Sequence, residues 1–402
     1  EYDLVQWSRD DFFEYVKDAI EQKNCERLTI IAKNKHQASF IQEDWDLLCA
    51  YLKGESKKYS LPKSSQPAYT LLQSHNLILE GVPGTGKTHA INEICQDWAK
   101  LSLELTGKKR KLADQYQGQG DAAITLHPAS AYEDFIEGLR PNTNQAGFSV
   151  QPGFFVRACR AAVANPKEDF LILLDEINRC NIPKVMGDLL TTIESSKRAS
   201  YDEANKRWIP KQTITLPYSK KIFFVPDNIY VVATMNTSDR SVAPMDSALR
   251  RRFAFQRLWP LGFEPLESRS EEDFINDLKR EASLSQAFQV THLENSVKAW
   301  FLLNNKLKNL GPDAMLGHSY LFDLAKYLKI DATEAKAIVE HHWTKHIIPQ
   351  VIDILVVNNQ ATKAEEYSIK LDEAISLQFI KASNHLTLPT CIFSYQATGS
   401  EL

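Results

Sequence analysis

The residues best suited to do chemistry in this chain form a glycine-rich loop that ends in lysine and threonine. The motif G-x-x-x-x-G-K-T follows an apolar run at residues 77–79 and opens a segment with helical periodicity. Such a loop curls successive backbone N–H groups around phosphate oxygens, and the start of the helix adds partial positive charge. In this interpretation Lys87 reaches the β- and γ-phosphates, and the Thr88 hydroxyl ligates Mg²⁺. The pattern predicts that a nucleoside triphosphate is bound by Gly81, Val82, Pro83, Gly84, Thr85, Gly86, Lys87 and Thr88.

A second informative cluster is a pair of acids, Asp175 and Glu176, that directly follows the apolar run 170–174. A strand buried between two layers of helices needs such a run. Asp175 is then placed to hold Mg²⁺, directly or through water, and Glu176 to polarise a water for attack on the γ-phosphate. Alone, this pattern is more often an ordinary strand end, but the glycine-rich loop upstream favours the catalytic interpretation.

Polar and cationic residues flank the last two apolar runs of the same region. Asn236 follows the run 229–234 and can hydrogen-bond the attacking water, as the first sensor residue of AAA+ ATPases does. Three arginines at residues 250–252 precede the final run. In ring-forming enzymes of this class, arginines at such a place reach the γ-phosphate bound by the neighbouring subunit. The alternative is a solvated helix end whose positive charge suits the helix dipole.

The bulk composition bounds the class of protein. The chain has 402 residues, enough for two or three domains, and its net charge of −4 gives no overall reason to bind nucleic acid. Its six cysteines form no C-x-x-C pattern, which favours reduced thiols in the cytoplasm over disulfides or a zinc site. No apolar run reaches the length of a membrane span, so no membrane partner is expected. The first residue is not Met, and we therefore expect a fragment or a processed chain.

The elements that must position these residues are predicted from apolar periodicity. Strand-like runs alternate with helical segments, which predicts an α/β fold with a parallel sheet and crossover helices. An insertion before the fourth strand is expected to form a hairpin from residues 213–217 and 221–225. The strands of the sheet are expected at residues 76–79, 122–126, 170–174, 229–234 and 253–257.

Five regions are predicted along the chain. A helical N-terminal segment covers residues 1–53, and a linker rich in Ser, Lys and Pro covers 54–69. The αβα nucleotide-binding subdomain covers 70–260, and an α-helical lid covers 261–356. The C-terminal tail, 357–402, receives no assigned structure.

An ordered set of motifs over about residues 70–355 resembles the McrB family, the GTP-driven AAA+ subunits of modification-dependent restriction complexes. The most specific motif is Met-Asn-Thr-Ser-Asp-Arg-Ser at residues 235–241. Further stretches that resemble the family are residues 127–141, 175–179, 216–219 and 316–320.

The resemblance implies roles for individual residues, although which of two interface arginines acts in trans stays open. The lid shows no obvious second-sensor arginine, as in that family. The residues that match family positions are Lys87 and Thr88 for phosphates and Mg²⁺, Asp175 and Glu176 for Mg²⁺ and water, Asn236 for water, Asp239 and Arg240 in the signature loop, Arg251 and Arg252 near the subunit interface, and His318 in the lid as a nucleotide contact.

The resemblance also implies the fold and function of the whole assembly. We expect an AAA+ P-loop NTPase with strand order 5-1-4-3-2, followed by the helical lid. It would act with Mg²⁺ and GTP as a ring, hexameric by family, that moves or remodels DNA for a McrC-like nuclease subunit. An ATP-dependent protein remodeller of MoxR or dynein-like type is the main alternative. A slow regulatory switch is a third, disfavoured by the presence of Glu176, Asn236 and the arginine set.

The preference for GTP rests on the resemblance alone. Residues 305–308 read Asn-Lys-Leu-Lys and lack the acid of the guanine-binding N-K-x-D motif. The base must therefore be recognised elsewhere, and we expect contributions from residues 69–76 and from the lid.

Two further patterns have simpler explanations. His342 and His346 lie one helical turn apart and could hold a metal, but no third ligand is in view, so packed or exposed lid histidines are favoured. The basic run at residues 108–111 could contact DNA, but a solvated loop after the first helix is favoured because no aromatic residues interleave with it.

Overall fold

The structure, a computed structural model, describes the chain from residue 67 to residue 377 with several gaps. The predictions for residues 1–66 and for Arg240 lie outside the described residues. The described ranges are 67–106, 109–142, 146–239, 247–264, 270–284, 287–330, 335–360, 366–367, 369–371 and 375–377.

Strands occur both in a central sheet and in small hairpins. In chain order they are β1 (Asn76–Gly81), β2 (Leu112–Gln117), β3 (Ala123–Thr125), β4 (Glu137–Pro141), β5 (Phe148–Pro152), β6 (Asp169–Asp175), β7 (Ser200–Asp202), β8 (Arg207–Ile209), β9 (Ile214–Thr215), β10 (Ile222–Phe223), β11 (Ile229–Asn236), β12 (Ala254–Arg257), β13 (Ile369–Leu371) and β14 (Ile375–Leu377).

The helices flank the sheet and then form the lid. In chain order they are α1 (Pro67–Ser74), α2 (Lys87–Thr106), α3 (Tyr132–Phe135), α4 (Phe154–Ala164), α5 (Ile182–Met186), α6 (Leu189–Thr192), α7 (Ser247–Arg250), α8 (Glu271–Ala282), α9 (Ala287–Leu307), α10 (Ser319–Ile330), α11 (Ala335–His342) and α12 (Ile348–Val357).

The central sheet is parallel and has the order β12-β1-β11-β6, with β2 and β3 following each other along the outer edge of β6. The predicted order 5-1-4-3-2 is therefore confirmed. Strands β1, β6 and β11 are almost entirely buried, as expected for strands covered by helices on both faces. This order brings the C-terminal ends of β1, β11 and β6 side by side, where ligands bind in open α/β sheets.

Strand β2 was not predicted from the sequence. Only Leu112 and Ala113 of this strand are buried, and the later residues are polar and more exposed, so the segment lacks a strand-like apolar pattern. Its backbone nevertheless pairs with β6 at the edge of the sheet. Because four of its six side chains are exposed or only half-buried, burial imposes no apolar pattern on this strand.

In the basic run before β2, the side chain of Arg110 has a structural partner. Arg110 Nε lies 2.5 Å from Asp169 Oδ1, and Trp98 Nε1 donates to the other oxygen of that carboxylate at 3.0 Å. Burial raises the pKa of Asp169, and Arg110 opposes that shift by favouring the charged form. The prediction of a solvated loop is therefore wrong for Arg110, which neutralises a buried acid at the start of β6.

The predicted hairpin of the insertion is confirmed in a shorter form, as β9 paired with β10. Two unpredicted hairpins, β4–β5 and β7–β8, accompany it. The turn after β9 contacts β4, because the backbone N–H groups of Tyr218 and Ser219 both donate to the buried carboxylate of Glu137 at 2.9 Å. Two insertions from different parts of the chain are thereby joined through one acid.

The lid packs its helices around a core of its own, which includes the buried side chains of Phe274, Trp300 and Leu324. Helix α8 starts at a Ser270 cap whose hydroxyl accepts from the N–H of Asp273 at 3.0 Å, as expected for an N-cap. The sheet and the lid belong to one compact unit, Thr70–Leu402.

The two lid histidines lie in different environments, since His342 is packed inside the lid and His346 is exposed. His342 is buried, and its Nε2 lies 2.7 Å from the carbonyl oxygen of Tyr320. Burial lowers the pKa of His342. Within the described residues, no group of three or more His, Cys, Asp and Glu side chains could hold a metal ion. Among the helices described, none is long and apolar enough to cross a membrane.

Candidate active site

The glycine-rich loop joins β1 to α2 in the predicted strand–loop–helix arrangement. Gly84 and Gly86 have φ values of 79° and 81°, a left-handed conformation that glycine adopts without strain. The Lys87 ammonium donates to the carbonyl oxygens of Gly81 and Val82 at 2.9 and 3.1 Å. Burial lowers the pKa of Lys87 to about 8, and the negative charges of Glu176 and Asp175 oppose this shift. The loop therefore contains a largely buried cation suited to an anionic ligand.

The residues around this loop fit a magnesium–nucleotide ligand. Thr88 is exposed on the first turn of α2, and a Thr hydroxyl with a carboxylate is an oxygen donor set that Mg²⁺ prefers. Among the described residues, Asn178 Oδ1 and Thr237 Oγ1 are buried without a hydrogen-bond partner at this edge of the sheet. Buried polar atoms of this kind are usually satisfied by a ligand, ion or water.

The two predicted acids lie at the end of β6, beside β11. Thr234 of β11 contacts both: its hydroxyl donates to Asp175 Oδ1 at 2.5 Å and accepts from the Glu176 N–H at 3.1 Å. Glu176 has φ 57°, a left-handed conformation that is uncommon outside glycine and is often found at functional sites. Sequence reasoning missed Thr234, although a threonine near the end of an otherwise apolar strand was an available signal.

The structure brings Asn236 and Glu176 together. Asn236 is paired with Gly81 in the register of β1 and β11, so it lies level with the start of the phosphate loop. Its Nδ2 donates to Glu176 Oε1, and its backbone oxygen accepts from Asn178 Nδ2 at 3.1 Å. Acid and amide therefore converge at the predicted edge of the sheet.

Arg179 is a further residue of this cluster that sequence reasoning did not select. Its Nε lies 3.3 Å from Glu176 Oε2, and its Nη2 lies 3.6 Å from Asp239 Oδ2. Asp239 thus joins the cluster through Arg179. The available signal was the position of Arg179 three residues after Glu176, which is one turn of a 3₁₀ helix.

The three arginines before β12 occupy different environments. Arg250 places its guanidinium 5.6 Å from the ring centre of Phe255, and Arg252 Nε lies 3.1 Å from Glu194 Oε1. Arg251 is exposed and makes no hydrogen bond or ion pair with any described residue. Of the three arginines, Arg251 alone has a guanidinium that forms no ion pair or ring contact within the described part of this chain.

The lid contacts the phosphate loop through the segment before α10. The N–H of Ser319 donates to the carbonyl oxygen of Gly84 at 3.0 Å. His318 Nδ1 accepts from the N–H of Leu261 at 3.2 Å, so the neutral ring carries its hydrogen on Nε2. That Nε2 would lie 3.6 Å from a Cβ built on Gly86, which places the predicted lid residue beside the phosphate loop.

In residues 69–76, the segment expected to contact the nucleotide base, the side chain of Asn76 is hydrogen-bonded to other parts of the protein. Asn76 is fully buried, and its Nδ2 donates to the carbonyl oxygens of Ile193 and Arg252 at 3.0 and 2.9 Å. Its Oδ1 accepts from the buried Arg198 at 2.5 Å. Asn76 therefore links the start of β1 to neighbouring segments of the chain. Both of its side-chain polar atoms are already hydrogen-bonded, so neither is available to a nucleotide.

Comparison with known proteins agrees with this fold. Residues 76–253 match the AAA domain (dynein-related subfamily). The chain is 33% identical over 250 residues to the Type IV methyl-directed restriction enzyme EcoKMcrB subunit of Escherichia coli strain K12, covering 61% of this chain and 47% of that protein. It is 26% identical over 223 residues to the Type II restriction enzyme BsuMI component YdiS of Bacillus subtilis strain 168, covering 51% of this chain and 62% of that protein.

The parallel sheet, the phosphate loop and the domain match together define an α/β P-loop NTPase of the AAA+ class. Within that class the chain is McrB-like, and the resemblance noted in the sequence is confirmed. The chain spans about half the length of the first of these relatives and 62% of the second.

Proposed function

We propose that this chain hydrolyses a nucleoside triphosphate at the C-terminal edge of β1, β11 and β6. The observation that carries this proposal is the convergence there of a half-buried lysine, two acids and an amide from three separate parts of the chain. Lys87 would contact the β- and γ-phosphates, and Thr88 and Asp175 would hold Mg²⁺, which supplies charge neutralisation on the phosphates. Glu176 would act as the base toward a water that Asn236 helps to orient.

The hydrolytic site is proposed to be completed by a neighbouring subunit of a ring. Arg251 is the residue we assign to the trans role, because its charge faces outward while Arg252 is paired with Glu194 of its own chain. Ring formation should depend on nucleotide, since the ligand would lie between subunits. Mass measurements should therefore show a small species without nucleotide and a ring, hexameric by family, with a non-hydrolysable analogue.

We further propose that the chain is a motor of a DNA restriction complex, acting in the cytoplasm and preferring GTP. The support is the likeness to two restriction-enzyme components, one of which is directed at methylated DNA by its name. A separate nuclease subunit of McrC type is the proposed partner. The domain match by itself also suits a protein remodeller, because its subfamily is described as dynein-related.

Turnover measurements distinguish these possibilities. GTP and ATP at equal concentration should compete for the site, and we expect GTP to be consumed in preference to ATP. Methylated double-stranded DNA or a nuclease partner should stimulate hydrolysis, whereas an unfolded model protein should not. A clear ATP preference together with stimulation by the unfolded protein would overturn the restriction motor and favour the remodeller.

A further inference from the structure

We propose that Arg179 is a positioning residue that ties the carboxylate of Glu176 to the loop after β11, which carries Asp239 and follows Asn236. This inference rests on the proposed role of Glu176 as the base in nucleotide hydrolysis. Arg179 would act through its two acidic neighbours rather than by touching the substrate.

The backbone explains why Arg179 lies over Glu176. Residues Ile177–Arg179 form a 3₁₀ turn, and the N–H of Arg179 donates to the carbonyl oxygen of Glu176 at 3.0 Å. Side chains three residues apart lie on the same side of such a turn. The guanidinium is thereby directed back to Glu176 Oε2, at 3.3 Å from Nε.

The same guanidinium also reaches the loop after β11. Its Nη2 lies 3.6 Å from Asp239 Oδ2, while Asn236 of that loop's strand donates to the other carboxylate oxygen of Glu176. Glu176 is therefore contacted from both sides, by the amide of Asn236 at the end of β11 and by the guanidinium of Arg179, which also lies near Asp239 in the loop after β11. These two contacts are ion pairs rather than hydrogen bonds, and they place two nitrogens of one planar guanidinium near two different carboxylates. A lysine has a single ammonium and cannot reproduce that spacing.

Burial separates this cluster from an ordinary surface ion pair. The side chains of Glu176 and Asp239 are only 19% and 24% exposed, and that of Arg179 is 47% exposed. Without Arg179, the partly buried carboxylates of Glu176 and Asp239 would lose the cation that lies near both, although Lys87 would still interact with Glu176. The two carboxylates carry like charges and repel each other, so Glu176 and the loop after β11 would move apart.

The test compares Arg179→Ala with a matched control, Arg280→Ala. Arg280 forms an ion pair with Asp277 at the same three-residue spacing, at 2.5 Å, but is 80% exposed on the lid. We expect Arg179→Ala to lower kcat about tenfold while the nucleotide Kd changes less than about threefold, since contacting residues couple by such amounts. Arg179→Lys should recover part of kcat, and Arg280→Ala should behave as wild type.

A double-mutant cycle checks the link to the loop. If Arg179 works through Asp239, Arg179→Ala combined with Asp239→Asn should cost little more than the larger single substitution. If the fold-losses in kcat of the two single variants simply multiply in the double variant, the link between Arg179 and Asp239 is contradicted. An unchanged kcat in Arg179→Ala, or a Kd that rises as much as kcat falls, would overturn the positioning role.

Hydrogen exchange tests the positioning role of Arg179 without relying on nucleotide hydrolysis. In the nucleotide-free protein, Arg179→Ala should speed amide exchange in peptides covering residues 176–179 and 234–239, with lid peptides unchanged. Unchanged exchange in both segments would overturn the inference even if the protein hydrolyses nucleotide. Faster exchange in a protein that does not hydrolyse nucleotide would retain the link and reject the proposed function.

Discussion

The N–H of Ser319 in the lid donates to the carbonyl oxygen of Gly84 in the phosphate loop, at 3.0 Å. Next to this bond, Gly317 lies so close to the loop that a Cβ would stand 2.2 Å from the oxygen of Pro83. The lid therefore rests on the nucleotide-binding loop through backbone atoms, and a glycine is required at the contact.

Gly317→Ala should weaken nucleotide binding about tenfold or more, because the new methyl group must push the lid away from the loop. Titration with a fluorescent GTP analogue measures the change in Kd. Gly120→Ala is the control, since Gly120 has φ 56° but a Cβ there would meet nothing within 4 Å. Equal, small effects of the two substitutions would show that the close contact does not matter for binding.

Arg251→Ala and Arg252→Ala should have different consequences. Arg251→Ala should lower turnover about 10³-fold if this exposed arginine reaches the neighbouring site, with stability unchanged. Arg252→Ala should mainly reduce the free energy of unfolding by roughly 0.5–1 kcal/mol, because it breaks the pair with Glu194. Steady-state hydrolysis and chemical denaturation of both variants check these outcomes.

Mixing subunits tests whether Arg251 acts in trans. Arg251→Ala lacks the arginine but keeps its own phosphate loop and base, whereas Glu176→Gln lacks the base but still binds nucleotide and keeps Arg251. Mixed rings contain interfaces with one intact copy of each, so activity should partly return. The absence of any recovery at every mixing ratio would argue against a shared site.

Much of this arrangement could be predicted from the sequence, because the buried strands and the phosphate loop have strong local patterns. Asp175, Glu176 and Asn236 each end an apolar run, and parallel strands bring such ends together. The edge strand β2 lacked that pattern and was missed. Contacts such as Thr234 with Asp175 depend on strand register, and the pairing of Arg252 with Glu194 depends on tertiary packing. The threonine at the end of an apolar strand is visible in the sequence, but neither contact partner can be identified from local patterns.

Acid should destabilise the protein partly through His75. Burial, and then the charge of Arg198, lower the pKa of His75 from 6.5 to about 3. The folded state thus favours the neutral ring, and this contribution is present above pH 6.5 and lost as the pH falls toward 3.

His75→Asn should remove this sensitivity, since asparagine tolerates the φ of 62° at this position and does not titrate. Between pH 7.5 and pH 5, wild type should lose about 1–2 kcal/mol more unfolding free energy than the variant. Urea denaturation at both pH values provides the measurement. Identical losses in the two proteins would mean that His75 does not set the acid sensitivity.

Glu176→Gln, compared with wild type, tests most directly whether this chain is a nucleotide hydrolase. The amide keeps the size of the side chain but cannot polarise a water. With Mg²⁺ and GTP, the variant should bind nucleotide within about threefold of wild type but turn it over at least about 100-fold more slowly. Lys87→Ala, measured beside it, should lose binding itself. Hydrolysis by Glu176→Gln within about threefold of the wild-type rate would contradict the assigned base, and unimpaired binding by Lys87→Ala would contradict the site.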